Sequence, residues 1–321
     1  MTAADANSTS DMEKVLDGIG LFGFICLGLL VVLTACGNII ICVAILRNRR
    51  LRTSSNFLVI NLAFGDILYS LSTLPLSMVL MCFRSKWPLG VAGNMFFDAV
   101  WFLFLVLSFL NIQVIALNRF IAITKPYTYR QSATKQRTVF LCFCIWLYAV
   151  ALVFALSFSF RETDGKVYHF LILGKVYYTV LIFHAVFTFV SVPLLYLVIF
   201  HIAKKHKLEI IKQDAKATRN FYRELKATWT IGFVICLFLL VWSPFLTNQF
   251  VDFHDIYKGT WDKRNSVMCY ITYCNGPANI FVYSIWNREI RQAILRLFGS
   301  AGNGAISSLT SKNMRSPGPG S

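Results

Sequence analysis

The chain has 321 residues, 56% hydrophobic and only 14% charged, with a mean hydropathy of +0.60 and a formal net charge of +16. A soluble domain of that length carries far more charge, so the composition excludes an ordinary globular fold and points to a chain that crosses a membrane repeatedly.

Met1 to Gly18 is short, polar and acidic, and Asn7-Ser8-Thr9 is an N-glycosylation acceptor if it faces outward. No separate signal peptide is evident, because the first apolar run is too long and continues as a span. So short a terminus cannot enclose a large ligand, which places any ligand site inside the bundle.

Seven stretches then qualify as membrane spans: Ile19 to Leu46, Thr53 to Phe83, Ala99 to Asn118, Thr138 to Phe160, Val176 to Ala203, Ala227 to Val251 and Asn265 to Asn287. The only formal charge in any of them is Asp66. β-Barrel strands are about half as long and alternate in polarity, which these runs do not. The fold class is therefore all-α, a seven-helix membrane bundle spanning residues 19–286.

Each span carries a polar or helix-bending mark. The first has Gly37-Asn38, an amide that needs a partner on a neighbouring helix. The second has Asn61-Leu62-Ala63-Phe64-Gly65-Asp66, then Pro75. A carboxylate at that depth is costly unless a cation or several donors meet it. Ser108, Asn275 and Asn279 are its candidate partners. The third span closes on Ser108 to Arg119, with an arginine at its edge. The fourth has Trp146, the fifth Pro193, the sixth Phe238, Trp242 and Pro244, and the seventh Asn275 to Tyr283 with Pro277.

Beyond the seventh span, Trp286, Ile290, Ile294 and Phe298 recur at four-residue steps with Arg288, Arg291 and Arg296 between them. Residues 287–298 thus read as an amphipathic helix on a membrane surface. No cysteine follows Cys274, so lipidation of a cysteine there is excluded. Residues 299–321 are rich in Ser, Gly and Pro and read as a disordered tail, with Ser307, Ser308, Thr310 and Ser311 as phosphorylation candidates.

Orientation follows from Lys and Arg. The loops after the first, third and fifth spans, with the tail, hold 22 of the 31. Those segments face the cytoplasm and the amino terminus faces outward. The net charge is thereby explained by the anionic inner leaflet and acidic cytoplasmic partners, without nucleic acid.

In this order, one set per span, Asn38, Leu62-Ala63 with Asp66, Ser108 eleven residues before Arg119, Trp146, Pro193, Phe238 with Trp242 and Pro244, and Asn279 with Tyr283 resemble the rhodopsin-like (class A) G-protein-coupled receptors. The resemblance covers roughly Gly37 to Leu297. ELKAT at Glu224 and WNREIRQA at Trp286 are most similar to the amine-receptor neighbourhood of that family.

The resemblance implies a ligand-gated switch in the plasma membrane, not an enzyme. Asp66, Ser108, Asn275 and Asn279 match the residues that bind an allosteric sodium ion, the sole candidate cofactor. Arg119 and Glu224 match a resting-state ion pair. Trp242, beneath the ligand pocket, and Pro244, the bend of the sixth span, match the moving parts, with Phe238 and Tyr283 beside them. The implied partners are a heterotrimeric G protein, a small-molecule ligand, the bilayer, and arrestin and receptor kinases through the tail.

Four departures from the pattern stand out. The acid expected before Arg119 is Asn118, which removes a resting-state restraint and predicts raised basal signalling. The expected fifth-span tyrosine is His201. Ile280 replaces a proline, with Pro277 three residues earlier. The usual outer disulfide is missing, since Asn94 stands where a cysteine is expected and the second outer loop has none. Cys82 and Cys269 lie near outer span ends, and distance decides whether they pair.

Aligned from Arg119, the position where an amine receptor carries an acid is Trp101, and the position of an opsin's Schiff-base lysine is Tyr273. The inferred pocket holds Trp101, Phe102, Leu105, His184, Phe189, Phe245, Leu246, Gln249, Thr272 and Tyr273. Its aromatic character suits an apolar or lipid-like ligand, although the same residues also serve as packed core. Asp98, Asp252 and Asp255 stand near the outer rim, where they could meet a cationic ligand, although rim acids are usually just solvated. A transporter is the weaker alternative, because no inverted repeat accompanies the odd span count. A receptor-like protein that binds without coupling is the other, suggested by Asn118, His201 and Ile280.

Overall fold

The computed structural model describes residues 3–82, 90–157, 174–210, 215–251 and 263–298. Helices α1 (Ala3–Arg47), α2 (Ser54–Cys82), α3 (Gly90–Thr124), α5 (Lys135–Ser157), α6 (Gly174–Ile210) and α7 (Ala215–Val251) each contain a stretch long and apolar enough to cross a membrane. Between α3 and α5 lies the short α4 (Pro126–Ser132). Helix α1 begins at Ala3, within the amino-terminal polar segment.

The seventh expected span is divided. Its two pieces, α8 (Lys263–Tyr273, 11 residues) and α9 (Asn275–Trp286, 12 residues), meet at Cys274, and neither alone is long enough to cross. Pro277 lies in the first turn of α9 and has no N–H for the Tyr273 carbonyl, so the ladder cannot run through. The ladder resumes when Ala278 N–H donates to the Cys274 carbonyl, 3.3 Å away. The break therefore sits one turn before Pro277.

Within the other helices the prolines are accommodated locally. Pro244 leaves the Leu240 carbonyl of α7 without its usual donor, and the Ser243 hydroxyl takes its place at 3.0 Å. Pro75 and Pro193 lie inside α2 and α6.

Helix α3 is the hub, packing on α2, α5, α6 and α7. Of its spanning stretch 61% is buried, against 17% for α5, which is the outermost helix and presents Phe140, Phe143, Leu147 and Phe154 outward. In a bilayer such surface meets lipid tails, so burial alone does not drive assembly. Close packing and interhelical hydrogen bonds do. Asn61 Nδ2 donates to Asn111 Oδ1 at 2.6 Å and Trp146 Nε1 donates to Asn61 Oδ1 at 3.0 Å, tying α2, α3 and α5 together. Asn38 Nδ2 donates to the Gly276 carbonyl at 3.2 Å, tying α1 to α9. At that crossing Gly276 lies so close to Thr34 that a Cβ would collide with its side chain.

A last helix, α10, covers 288–298. Asn287 caps it: its Oδ1 accepts from the N–H groups of Glu289 and Ile290, both at 3.1 Å. Ile290 and Ala293 face the bundle, while Leu295 and Phe298 are exposed. The tail after residue 298 and Asn7's side chain lie outside what is described, as do Asp252 and Asp255.

Candidate functional site

Asp66 on α2 is buried, and Asn279 Nδ2 on α9 donates to its Oδ2 at 2.5 Å. The break at Cys274 brings the start of α9 beside this carboxylate. Asp66, Ser108 and Asn275 line one cavity, with Gly276, Tyr69, Trp101, Phe104, Leu105, Trp242 and Thr272. Its volume is about 20 Å³, room for a water or a bare ion. One carboxylate with amide and hydroxyl groups around it is an all-oxygen donor set of the kind a small hard cation takes, so these residues fit a sodium ion.

Directly beside this cavity lies an aromatic stack. Trp242 packs on Phe109 at 5.3 Å between ring centroids and on Phe238 at 5.9 Å. Phe245 bridges Trp242 and Trp101, at 6.1 and 5.7 Å. The Trp242 indole N–H is buried and has no partner among the described residues. The stack thus couples α3 to α7 on both sides of the proline of α7, through Phe238 and Trp242 before it and Phe245 after it.

The expected pocket residues do not all converge. Trp101, Leu105 and Thr272 line the cavity. Phe102, Phe245, Leu246 and Gln249 are buried in the core, and Phe189 is half-buried against it. The Tyr273 hydroxyl is bonded to Ser77 at 3.0 Å, with its ring against Tyr69 and Tyr270. His184 is turned toward α5: its Nε2 meets the Tyr148 hydroxyl at 3.1 Å and its Nδ1 the Val180 carbonyl at 2.8 Å. The Val180 carbonyl can only accept, so Nδ1 is the donor in that contact. Asp98 is not a solvated rim acid, being only 1% exposed one turn from Trp101 on α3.

At the opposite end of α3, Arg119 is 3% exposed, and its guanidinium Nη1 lies 3.5 Å from Glu224 Oε2 on α7. A single long contact to a carboxylate whose side chain is 38% exposed is a weak tie, on the order of 0–1 kcal/mol. Arg119 Nε and the hydroxyl of buried Tyr283 have no partner among the described residues. Asn118 turns from Arg119 and donates from Nδ2 to Ser55 Oγ at 3.0 Å, and Ser55 shares a 2.8 Å bond with the Tyr129 hydroxyl of α4. Ser54 bonds Thr138 alongside.

A family model described as the 7 transmembrane receptor (rhodopsin family) matches residues 37–283. The chain belongs to that family. Among curated relatives, the histamine H2 receptor of Homo sapiens is 30% identical over 292 residues, covering 85% of this chain and 78% of that receptor. The histamine H2 receptor of Cavia porcellus is 30% identical over 288 residues, with 84% and 77% covered. Melanopsin of Rattus norvegicus is 27% identical over 280 residues, covering 80% of this chain and 57% of melanopsin. The protein is thus a non-enzymatic, multi-pass receptor of the plasma membrane that signals through heterotrimeric G proteins.

The receptor's departures from the family pattern take definite positions. His201 is exposed on α6. The buried stripe of that helix runs through Leu181, Ala185, Thr188, Val192, Ile199 and Ala203, and the residue that fills its gap is Tyr196. The Tyr196 hydroxyl donates to the Thr228 carbonyl of α7 at 3.4 Å, and its ring lies over Gly232, where a Cβ would come within 2.9 Å of it. Tyr196 is the residue that the sequence motifs missed and the packing of α6 reveals. Ile280 packs on Gly37 of α1, and Cys269 is a free, buried thiol, not half of a disulfide.

Proposed function

We propose that this receptor takes a small, largely apolar ligand from outside the cell at the aromatic residues around Trp101, Phe245 and Trp242. Ligand binding there repacks Trp242 and favours an outward swing of α7 about Pro244, which releases Arg119 from Glu224 for a G protein. The observation that carries this reading is the buried Arg119, held to α7 by one 3.5 Å contact. A ligand acts on such a switch only through its differential affinity for the two states. A weak tie means that little differential affinity suffices.

Asn118 supports raised basal signalling, since its amide serves Ser55 and leaves Arg119 with no carboxylate next to it on α3, only the 3.5 Å contact to Glu224. Sodium at Asp66, Ser108, Asn275 and Asn279 would favour the resting state. The distribution of basic residues supports an outward amino terminus carrying a glycan on Asn7, an α10 lying on the inner leaflet, and a tail that meets receptor kinases and arrestin.

The test is ligand-free G-protein activation in cells, across the main G-protein classes, beside Arg119→Ala at matched surface expression. Activity above vector that falls in Arg119→Ala supports the coupled reading. Activity unaffected by that change would overturn the role given to Arg119. The 30% identical histamine H2 receptors make histamine a sensible early ligand to screen beside apolar small molecules, although Trp101 offers no charge for an ammonium.

A further inference from the structure

The turn between α1 and α2 concentrates positive charge. Residues 47–52 read Arg-Asn-Arg-Arg-Leu-Arg, four arginines and no lysine, and no acid occurs in the sequence between Asp17 and Asp66. Arg47, Arg49 and Arg50 are exposed, and none has a carboxylate partner among the described residues.

A loose basic loop would simply be solvated, but this one is fixed in place. Its single 3-10 turn, Arg49–Leu51, is capped by Asn48, whose Oδ1 accepts from the Arg50 N–H at 3.1 Å. Leu51 is buried, and Asn56 Nδ2 on α2 donates to its carbonyl at 2.7 Å. Arg52 folds back and donates from Nε to the Leu46 carbonyl of α1 at 2.8 Å. The other three arginines therefore project from a rigid base, which lowers the ordering cost of binding.

The turn also stands at a seam. Helices α1 and α9 pack on one another and meet where Asn38 donates to the Gly276 carbonyl. From that contact α1 runs on to Arg47 and α9 to Trp286, about 14 and 15 Å at the rise of a helix, so both end at one level. Exposed Arg288 follows directly after α9. On the inner halves of the same two helices, Leu46, Phe281 and Ile285 are exposed apolar surface.

A headgroup with one negative charge answers only one of these arginines, and an acidic protein segment has no use for the apolar surface beside them. A polyphosphorylated inositol lipid answers several charges and lays its acyl chains along the helices. Arginine suits it better than lysine, because a planar guanidinium meets phosphate through paired hydrogen bonds. We propose that the Arg47–Arg50 end of the α1–α9 seam binds the headgroup of a polyphosphorylated inositol lipid through Arg47, Arg49, Arg50 and Arg288. The proposal rests on the orientation given above only for which leaflet supplies the lipid.

The experiment follows thermal unfolding of the full-length purified receptor in phosphatidylcholine nanodiscs as phosphatidylinositol bisphosphate is added. Phosphatidylserine at matched charge and soluble inositol trisphosphate form separate arms. The bisphosphate is expected to raise the midpoint saturably, at about one-tenth of the charge that phosphatidylserine requires. Arg49→Gln with Arg50→Gln should raise its half-saturating content about tenfold, and Arg49→Lys with Arg50→Lys about threefold. Lys135→Gln with Lys204→Gln, an equal loss of charge at exposed positions on α5 and α6, should change it by no more than about twofold. Equal effects of the two glutamine pairs, or phosphatidylserine matching the bisphosphate, would overturn the proposal in favour of diffuse attraction. An unchanged response in the lysine pair would overturn the role of the guanidinium forks, and a shift by soluble inositol trisphosphate equal to the lipid's would overturn the lipid as occupant. If the glutamine pair at Arg49 and Arg50 does not fold, the lysine pair and the phosphatidylserine arm decide the matter. Nanodiscs expose both faces, so an error in orientation or in G-protein coupling leaves these curves unaffected.

Discussion

Replacing Asn118 with aspartate restores a carboxylate beside Arg119 without changing side-chain size. The local network can accept it. Asn118 now donates to Ser55, and an aspartate would instead accept from that hydroxyl, with Tyr129 donating to Ser55 in turn. Arg119 Nε, which has no partner among the described residues, supplies a donor for the new charge. A charge-assisted hydrogen bond of this kind contributes about 1.5–3 kcal/mol when well formed. Asn118 is only half-buried, so solvent screening brings the contribution below that range, to on the order of 1 kcal/mol. Because the existing Arg119–Glu224 contact is worth no more than that, the added restraint is comparable with the whole present tie. A coupling of about 1 kcal/mol changes a two-state ratio roughly fivefold. Ligand-free G-protein activation by Asn118→Asp should therefore fall about fivefold at equal surface expression, measured by G-protein dissociation in cells. Unchanged basal activation would refute the idea that the missing acid loosens the switch.

Other changes probe the bundle. Gly276→Ala forces a Cβ into Thr34 at the α1–α9 crossing and should cost about 1–3 kcal/mol, seen as a lower unfolding midpoint; an unchanged midpoint would mean the helices separate there without penalty. Trp146→Phe deletes the 3.0 Å bond to Asn61 and should cost about 1 kcal/mol, again read by thermal unfolding, with Asn61→Ala as the partner in a double-mutant cycle. Gly232→Ala should displace the Tyr196 ring and alter basal signalling at preserved surface expression, whereas His201→Ala, at an exposed position, should leave it within twofold or so. Equal effects at the two positions would undo the assignment of Tyr196 as the inward-facing residue of α6.

Much of this receptor was legible in its sequence because the bilayer is a severe solvent. A charge in hydrocarbon is costly, so charge-free runs marked the spans and Asp66 stood out as the one acid needing partners. Asn279 and Asp66 meet as their types required, and the missing N–H of Pro277 accounts for the divided seventh span. Rotation of each helix about its axis was far less legible. Lipid tails are as apolar as a protein core, so a spanning helix is hydrophobic all round and its sequence does not state which side faces inward. That is why His201 and Tyr196 could be distinguished only once α6 was packed on α3, why His184 proved to face Tyr148, and why Asp98 near a span end proved buried. The continuity of the Asp66 cavity with the aromatic layer is likewise a property of assembled helices, since Tyr69, Trp101 and Trp242 come from α2, α3 and α7. The sequence determined which polar groups had to find partners in the membrane. Helix packing decided which partners they found.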